Sequence, residues 1–433
     1  MGIGEDFQEL LSNLQVDNAA TISLRYGEIT SVLNRKFRNT ESKTANSLQI
    51  GSYGRWTAIK GVSDLDMIYI MPASKWSDYK DGGQYKLLKD TKDAISARYP
   101  NTTVKVDRLV VCVIYKDFHI EVQPAFEQAD RSFKYPDTAN GGSWKITKPR
   151  EEIEELAAAN ERKNRNLRRL CKMARAWKNK HGVAMGGLLI DTLAYNFLES
   201  TDYFDDRSYY YYDYMSRDFF EYLSNEKDHE FYAAVGSRQR VRVKKKFQKK
   251  AKATYDLCVK AIDASGQKNE RQKWRDVYGN AFPAPVKLEK QAFTYVFRDT
   301  EEFIEDRFPV DIRYDLKVDC KVTQNGFRTN HLLEMLSKHI PLLRNKKLQF
   351  FMDASDVPPD CSFYWKVLNQ GDEAERRDQI RGQIVPDDGT RSKQERTSFA
   401  GSHIVECYAV QRGVVVARGK IRVPISWQEA EAA

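Results

Sequence analysis

Apolar residues recur at helical spacing across residues 5–40: Phe7, Leu10, Leu11 and Leu14, then Ile22, Leu24, Tyr26, Ile29, Val32 and Leu33. This predicts a long N-terminal helical segment. The period then changes. Residues 47–72 form two short apolar segments around Gly51-Ser52, a strand–turn–strand closed by Pro72. Residues 83–98 return to helix, with Tyr85, Leu87, Leu88, Ile95 and Tyr99 as core positions. Residues 103–106, 109–115 and 118–126 are apolar and β-branched and predict three strands, with Pro124 expected to stop the last. Residues 132–150 are rich in Gly, Pro, Asn and Asp and read as loop.

From residue 151 the pattern is helical again, opening with acidic residues that suit a helix N-terminus. Over 162–199, Leu167, Leu170, Cys171, Ala174 and Trp177 make an apolar stripe, crowded by Arg168, Arg169, Lys172, Arg175 and Lys178. Residues 185–198 give the next helix. Residues 201–221 are aromatic and acidic; some of these rings belong in a core and others on the surface. Residues 237–253 are intensely basic, and the preferred reading is a solvated helix flank anchored by Val241, Val243 and Phe247. Pro283-Ala-Pro285 marks a boundary. Beyond it, 314–322, 348–354, 362–368, 403–410 and 413–423 read as strands, 330–340 as helix and 370–399 as loop.

Composition narrows the class. The chain has 433 residues, 41% hydrophobic and 30% charged, enough for two or three domains with a well-buried core. No apolar run approaches the ~18 residues of a membrane span, and Met1-Gly2 opens neither a secretion signal nor a myristoylation motif. Six scattered cysteines without a C-x-x-C, and six histidines, argue against zinc and a disulfide framework, so the cytoplasm is the expected setting. The net charge is +9, yet residues 291–433 carry about 21 basic and 22 acidic groups, so the excess lies upstream. It suits a polyanionic ligand, either nucleoside triphosphates or nucleic acid.

The chemistry concentrates in 47–70. In a strand, residues two apart share a face, so Asp64 and Asp66 point one way and Leu65, Met67 and Tyr69 the other. Adjacent carboxylates remain ionised together when a cation lies between them, and oxygen ligands favour Mg²⁺ or Mn²⁺. Gly51-Ser52 offers amides and a hydroxyl to a phosphate. Glu121 stands in an otherwise apolar strand, on one face with His119 and Gln123, where an unpaired carboxylate is costly.

Gly51-Ser52, a spacer and Asp64-x-Asp66, with an acidic residue in a later strand before a proline, resemble the polymerase-beta-like nucleotidyltransferase superfamily. That superfamily commonly has Asp where this chain has Glu121. The run Leu170-Cys-Lys-Met-Ala-Arg-Ala-Trp177 resembles the helix by which oligoadenylate and cyclic-dinucleotide synthases hold a triphosphate. Residues 1–280 together resemble the bacterial cGAS/DncV-like nucleotidyltransferases (CD-NTases of anti-phage signalling). Residues 292–433 resemble, more weakly, the sensor domain attached to some of them.

The resemblance implies an α+β fold: a mixed sheet with a long spine helix over 1–150, a helical lid over 151–285 and a β-rich sensor-like domain over 290–433. It implies a cyclic oligonucleotide synthase that uses ATP and/or GTP, releases pyrophosphate and makes a di- or trinucleotide of the cyclic GMP-AMP type. The product would act on a separate effector. Asp64, Asp66 and Glu121 would be catalytic and hold two Mg²⁺ or Mn²⁺ ions, with Glu121 as proton acceptor. Gly51, Ser52, Lys172 and Arg175 would bind nucleotide, Lys172 ahead of Arg175. Two alternatives stay open: an RNA 3′-end nucleotidyltransferase, supported by the basic 238–252 run, and a non-catalytic nucleotide or RNA sensor. A nucleic-acid activator is open but not favoured.

Overall fold

The computed structural model describes residues 2–61, 63–116, 118–285, 300–323, 328–369, 381–398 and 400–426. The chain divides into two compact units: residues 1–180 with 185–285, and residues 286–433 with the short piece 181–184.

In the first unit the N-terminal helical pattern is split into α1 (Ile3–Asn13) and α2 (Ala19–Arg38). The expected single helix breaks at Leu14–Asn18, where Asp17 and Asn18 favour turns over helix interior. The Leu14 carbonyl freed by the break accepts from the Lys60 amide at 2.8 Å. Then come β1 (Ser47–Gln49), the one-turn helix α3 (Gly51–Gly54), β2 (Asp64–Ile70), α4 (Gln84–Arg98), β3 (Thr103–Asp107), β4 (Val110–Ile114) and β5 (His119–Glu127). The strands order as β1-β2-β5-β4-β3, with β2 and β5 parallel and the other pairs antiparallel. Leu65, Met67 and Tyr69 of β2 pack on Ile22, Ile29 and Leu33 of α2 and on Leu87, Leu88 and Ile95 of α4. Alternation along β2 thus buries one face and leaves Asp64 and Asp66 on the other. Each large apolar side chain fully buried there contributes about 1.5–3 kcal/mol.

Two expectations fail here. Pro124 does not end β5, which runs on to Glu127. The pairing of β4 with β5 stops at Val122, so at Pro124 the missing N–H interrupts no ladder on that side. Residues 132–150 are not loop but a hairpin, β6 (Phe133–Asp137) and β7 (Ser143–Thr147). The Gly-rich signal was confined to the turn between them. Arg108 donates to both oxygens of Asp137, at 2.8 and 2.9 Å, and ties the hairpin to the β3–β4 turn.

The rest of this unit is mainly helical: α5 (Pro149–Arg162), α6 (Asn166–His181), α7 (Gly187–Glu199), α8 (Tyr212–Asn225), the short pair β8 (Phe231–Ala233) and β9 (Arg240–Arg242), α9 (Gln248–Ile262) and α10 (Glu270–Tyr278). Phe7 of α1 sits edge-on to Tyr212, Trp274, Tyr278 and Phe282, with ring centroids 5.1–6.3 Å away. Asp6 accepts twice from Arg271, at 2.7 and 2.9 Å. α1 is thereby fastened to α8 and α10.

Among the described residues the second unit is mainly β. After β10 (Thr300–Glu301) come β11 (Leu316–Thr323), β12 (Asn330–His331), α11 (Leu332–Ser337), β13 (Lys347–Ser355), β14 (Ser362–Leu368), β15 (Arg381–Gly382), β16 (Ile384–Pro386), β17 (Ser392–Arg396), β18 (Gly401–Gln411) and β19 (Val414–Ile425). Two four-stranded sheets, β12-β11-β13-β17 and β16-β14-β18-β19, share one core that includes Cys320, Phe350, Trp365 and Val416. The expected 370–399 loop holds strand residues 381–382, 384–386 and 392–396; 370–380 lie outside the described residues.

Candidate functional site

Strand register assembles the acidic cluster. β2 and β5 run side by side with Asp64 opposite His119 and Asp66 opposite Glu121. Asp64, Asp66 and Glu121 each offer a carboxylate oxygen, and these oxygens lie within 4.8 Å of one another. All three are half-buried. The Ser63 hydroxyl donates to Asp64 at 3.2 Å, and the His119 amide donates to the Ser63 carbonyl at 3.0 Å.

The Gly51-Ser52 turn sits directly against this cluster. The Ile50 amide donates to the Asp66 carbonyl at 2.9 Å. Gly51 has φ of +64°, and a Cβ there would fall 1.8 Å from Asp66 Oδ2. Only glycine meets both demands, the left-handed backbone and the close approach. Ser52 lies in the first turn of α3, where amides lack intrahelical acceptors. Its carbonyl accepts from the Thr57 and Ala58 amides at 2.9 and 3.1 Å, which folds the chain back after α3.

α6 approaches the same turn. Arg168 Nε donates to the Arg55 carbonyl at 3.2 Å. Arg175 donates to Asp191 at 2.5 and 3.0 Å and to the Gly187 carbonyl at 3.1 Å. Lys172 lies between these arginines on one helix face, four residues after the first and three before the second. It is half-buried and has no hydrogen-bond or ion-pair partner among the described residues. Burial, then Arg168 and Arg175, push its pKa down. Arg175 is placed otherwise than expected. It is 6% exposed, and its guanidinium is committed to the buried Asp191.

Asp191, Arg55, Thr57 and Glu152 are the site residues missed in the sequence. Asp191 is fully buried in α7 and also accepts from Arg55 Nε at 2.9 Å and Thr57 Oγ1 at 3.0 Å. Arg55 Nη1 donates to Glu152 at 3.2 Å, and the Ser237 hydroxyl donates to the same carboxylate at 3.1 Å. Burial pushes the Glu152 pKa up, with Arg55 opposing. The available signal was one carboxylate inside the apolar run Leu188-Leu-Ile-Asp-Thr-Leu193.

The basic run is only partly a helix flank. Arg240 and Arg242 stand exposed on β9, with Arg240 over the Phe231 ring at 4.2 Å; helix begins only at Gln248. Of the tyrosines, Tyr212 is buried and donates to Asn166 at 2.6 Å, while Tyr210 is 63% exposed. Among the described residues no helix is long and apolar enough to cross a membrane.

Residues 1–160 match the family model of the Second Messenger Oligonucleotide or Dinucleotide Synthetase domain. Residues 298–426 match that of the Adenylyl/Guanylyl and SMODS C-terminal sensor domain. No curated protein matches the chain in sequence. Among solved structures, E. coli MS115-1 CdnC, in complex with HORMA-deltaN, has a TM-score of 0.51 at 13% identity, over 66% of this chain and 99% of that chain. Vibrio cholerae DncV in its apo form has a TM-score of 0.46 at 14% identity, over 55% of this chain and 69% of that chain. The CdnC likeness shows a shared fold, and the two matched domains complete the assignment. Residues 1–160 are thus a second-messenger oligonucleotide or dinucleotide synthetase domain, a nucleotidyltransferase of the EC 2.7.7 type, and residues 298–426 a C-terminal sensor domain.

Proposed function

We propose that this enzyme joins ribonucleoside triphosphates, ATP and/or GTP, into a cyclic di- or trinucleotide of the cyclic GMP-AMP type and releases pyrophosphate. The reading is carried by one observation: three carboxylates cluster on β2 and β5, and one of them, Asp66, lies against the glycine of the Gly51-Ser52 turn. Cyclic oligonucleotide synthesis is also what the family suggests. In this reading residues 1–150 are the catalytic core, 151–285 the lid and 290–433 a sensor. The product acts on a separate effector in anti-phage defence.

The donor set fits hard divalent cations. It is all oxygen, and its span suits Mg²⁺ or Mn²⁺, two ions in this reading. When bound, such ions neutralise phosphate charge and polarise the α-phosphate. The remaining work falls to the chain. The Ser52 hydroxyl and the amides at the start of α3 bind the phosphates. Lys172, one turn along α6 from the Arg168 that bonds the Arg55 carbonyl, adds a point charge to the triphosphate. Glu121 accepts the proton of the attacking ribose hydroxyl, next to Asp66 in register. The lid holds that hydroxyl near the α-phosphorus and limits water.

The test is thin-layer chromatography and mass spectrometry of reactions with all four labelled triphosphates and Mg²⁺ or Mn²⁺. Wild type should yield a phosphatase-resistant product whose mass names its bases, and Asp64→Ala/Asp66→Ala should yield none. The exposed arginines of β9 favour one other reading, RNA 3′-end addition. Lengthened RNA without a small product would select it, and silence with and without RNA would favour a non-catalytic sensor.

A further inference from the structure

Four side chains on three segments meet in one buried polar cluster. Arg55 and Thr57 follow α3, Arg175 is on α6 and Asp191 on α7; Glu152 of α5 adjoins through Arg55. None of the five is more than 6% exposed. The Asp191 carboxylate receives four hydrogen bonds: two from Arg175, one from Arg55 and one from Thr57. Buried ion pairs rarely maximise stability, because desolvation offsets most of the attraction. What such a cluster fixes well is geometry.

The segments it joins decide what that geometry is for. Thr57 is directly tied to Ser52: its amide donates to the Ser52 carbonyl at 2.9 Å, and its hydroxyl reaches that oxygen at 3.4 Å as well as Asp191. Arg175 is one helical turn from Lys172. A single carboxylate therefore spans the two elements assigned to the triphosphate, the Ser52 turn and the Lys172 helix. Arg168 on the Arg55 carbonyl adds a second tie on the other side of Lys172.

We propose that Asp191 is a positioning residue of the triphosphate site. Through Thr57 and Arg175 it sets the distance between the Ser52 turn and Lys172, so that both reach one polyphosphate. The inference rests on the nucleotide-binding reading above and assigns a role to a residue that need not touch substrate. Flexible phosphate ligands would bind the same groups with a larger entropic cost, so loosening the cluster weakens binding without removing any ligand.

Titration calorimetry of the full chain with ATP and Mg²⁺ tests this, with hydrogen exchange read at the Thr57 and Ala58 amides. Thr57→Val removes one hydroxyl and no charge. It should weaken ATP binding by about tenfold, the scale of one hydrogen bond to a charged group, and speed exchange at those amides. Thr57→Ser keeps the hydroxyl and should restore affinity to within about twofold. Arg175→Met/Asp191→Leu removes one charge of each sign, leaves Arg55 on Glu152, and should stay folded yet bind ATP more weakly than Thr57→Val. Wild-type affinity in Thr57→Val, or equal losses in Thr57→Val and Thr57→Ser, overturns the positioning role and leaves the nucleotide-binding reading standing. Wild type that binds neither ATP nor GTP overturns both.

Discussion

At the scale of single residues, Lys172 separates a role in binding from a role in stability. It is half-buried, has no counter-charge among the described residues and lies between Arg168 and Arg175. Burial and both arginines work against its charge, so it costs stability where it stands. A bound triphosphate would reverse that. Lys172→Met keeps the aliphatic stem and removes the charge. It is expected to raise the KM for triphosphate by about tenfold or more, as loss of a charged hydrogen bond does, while the melting temperature holds or rises. A lower melting temperature with unchanged KM would mean that Lys172 has a structural partner instead. The contrast with Arg175 shows what the sequence carries. Both are cations on the same helix face, and periodicity cannot distinguish them. Arg175 differs because Asp191, sixteen residues on, folds beneath it; Arg55, which shares that carboxylate, is 136 residues away in the chain. The facing of Asp64 and Asp66 was legible for the opposite reason, since it depends only on strand alternation.

Among the elements, α1 gives the clearest case of tertiary packing overriding local signal. Its apolar spacing runs into that of α2, so one helix was expected, yet α1 turns away to bury Phe7 among four aromatic rings. An aromatic side chain enclosed in this way loses about 3–5 kcal/mol when cut to alanine. Phe7→Ala should therefore lower the urea midpoint clearly, while Leu24→Ala, at a position 56% exposed on α2, should change stability by less than about 0.5 kcal/mol. Equal effects would show that α1 contributes no packing of its own. The same override explains β5 and the β6–β7 hairpin. A proline is a strand breaker only where a ladder needs its N–H, and which neighbour lies beside it is not local information. Phe133-Lys-Tyr-Pro-Asp137 and Ser143-Trp-Lys-Ile-Thr147 are short strands that pair with each other, the first also with the end of β5, and the turn residues between them masked both.

For the whole molecule, acid stability tests whether buried carboxylates in each unit are paired as described. Asp191 is fully buried in the first unit, and Glu406 is 4% exposed in the second, where it accepts from Arg418 at 2.7 and 3.3 Å and from Tyr408 at 2.7 Å. Burial pushes both carboxyls up. Arg175 and Arg55 overcome it at Asp191 and hold that pKa at about 2; Arg418 and then Lys420 hold Glu406 well below its usual range. A carboxyl depressed in the folded state binds its proton more readily once unfolded. Its contribution is complete above the ordinary carboxylate pKa near 4 and is lost as pH falls toward the folded value. For Asp191 that amounts to roughly 2 kcal/mol. Urea midpoints should thus change little from pH 7 to about 5 and fall steeply below about 4. Acid also protonates surface carboxylates in a chain with 70 basic residues, and the resulting repulsion destabilises any compact state. Salt distinguishes the two effects, because it screens exposed charges far more than buried pairs. The fall should persist at high salt and be shallower in Glu406→Gln, which has no carboxyl to protonate there. A decline that salt abolishes, with the same slope in Glu406→Gln, would assign acid sensitivity to net charge alone.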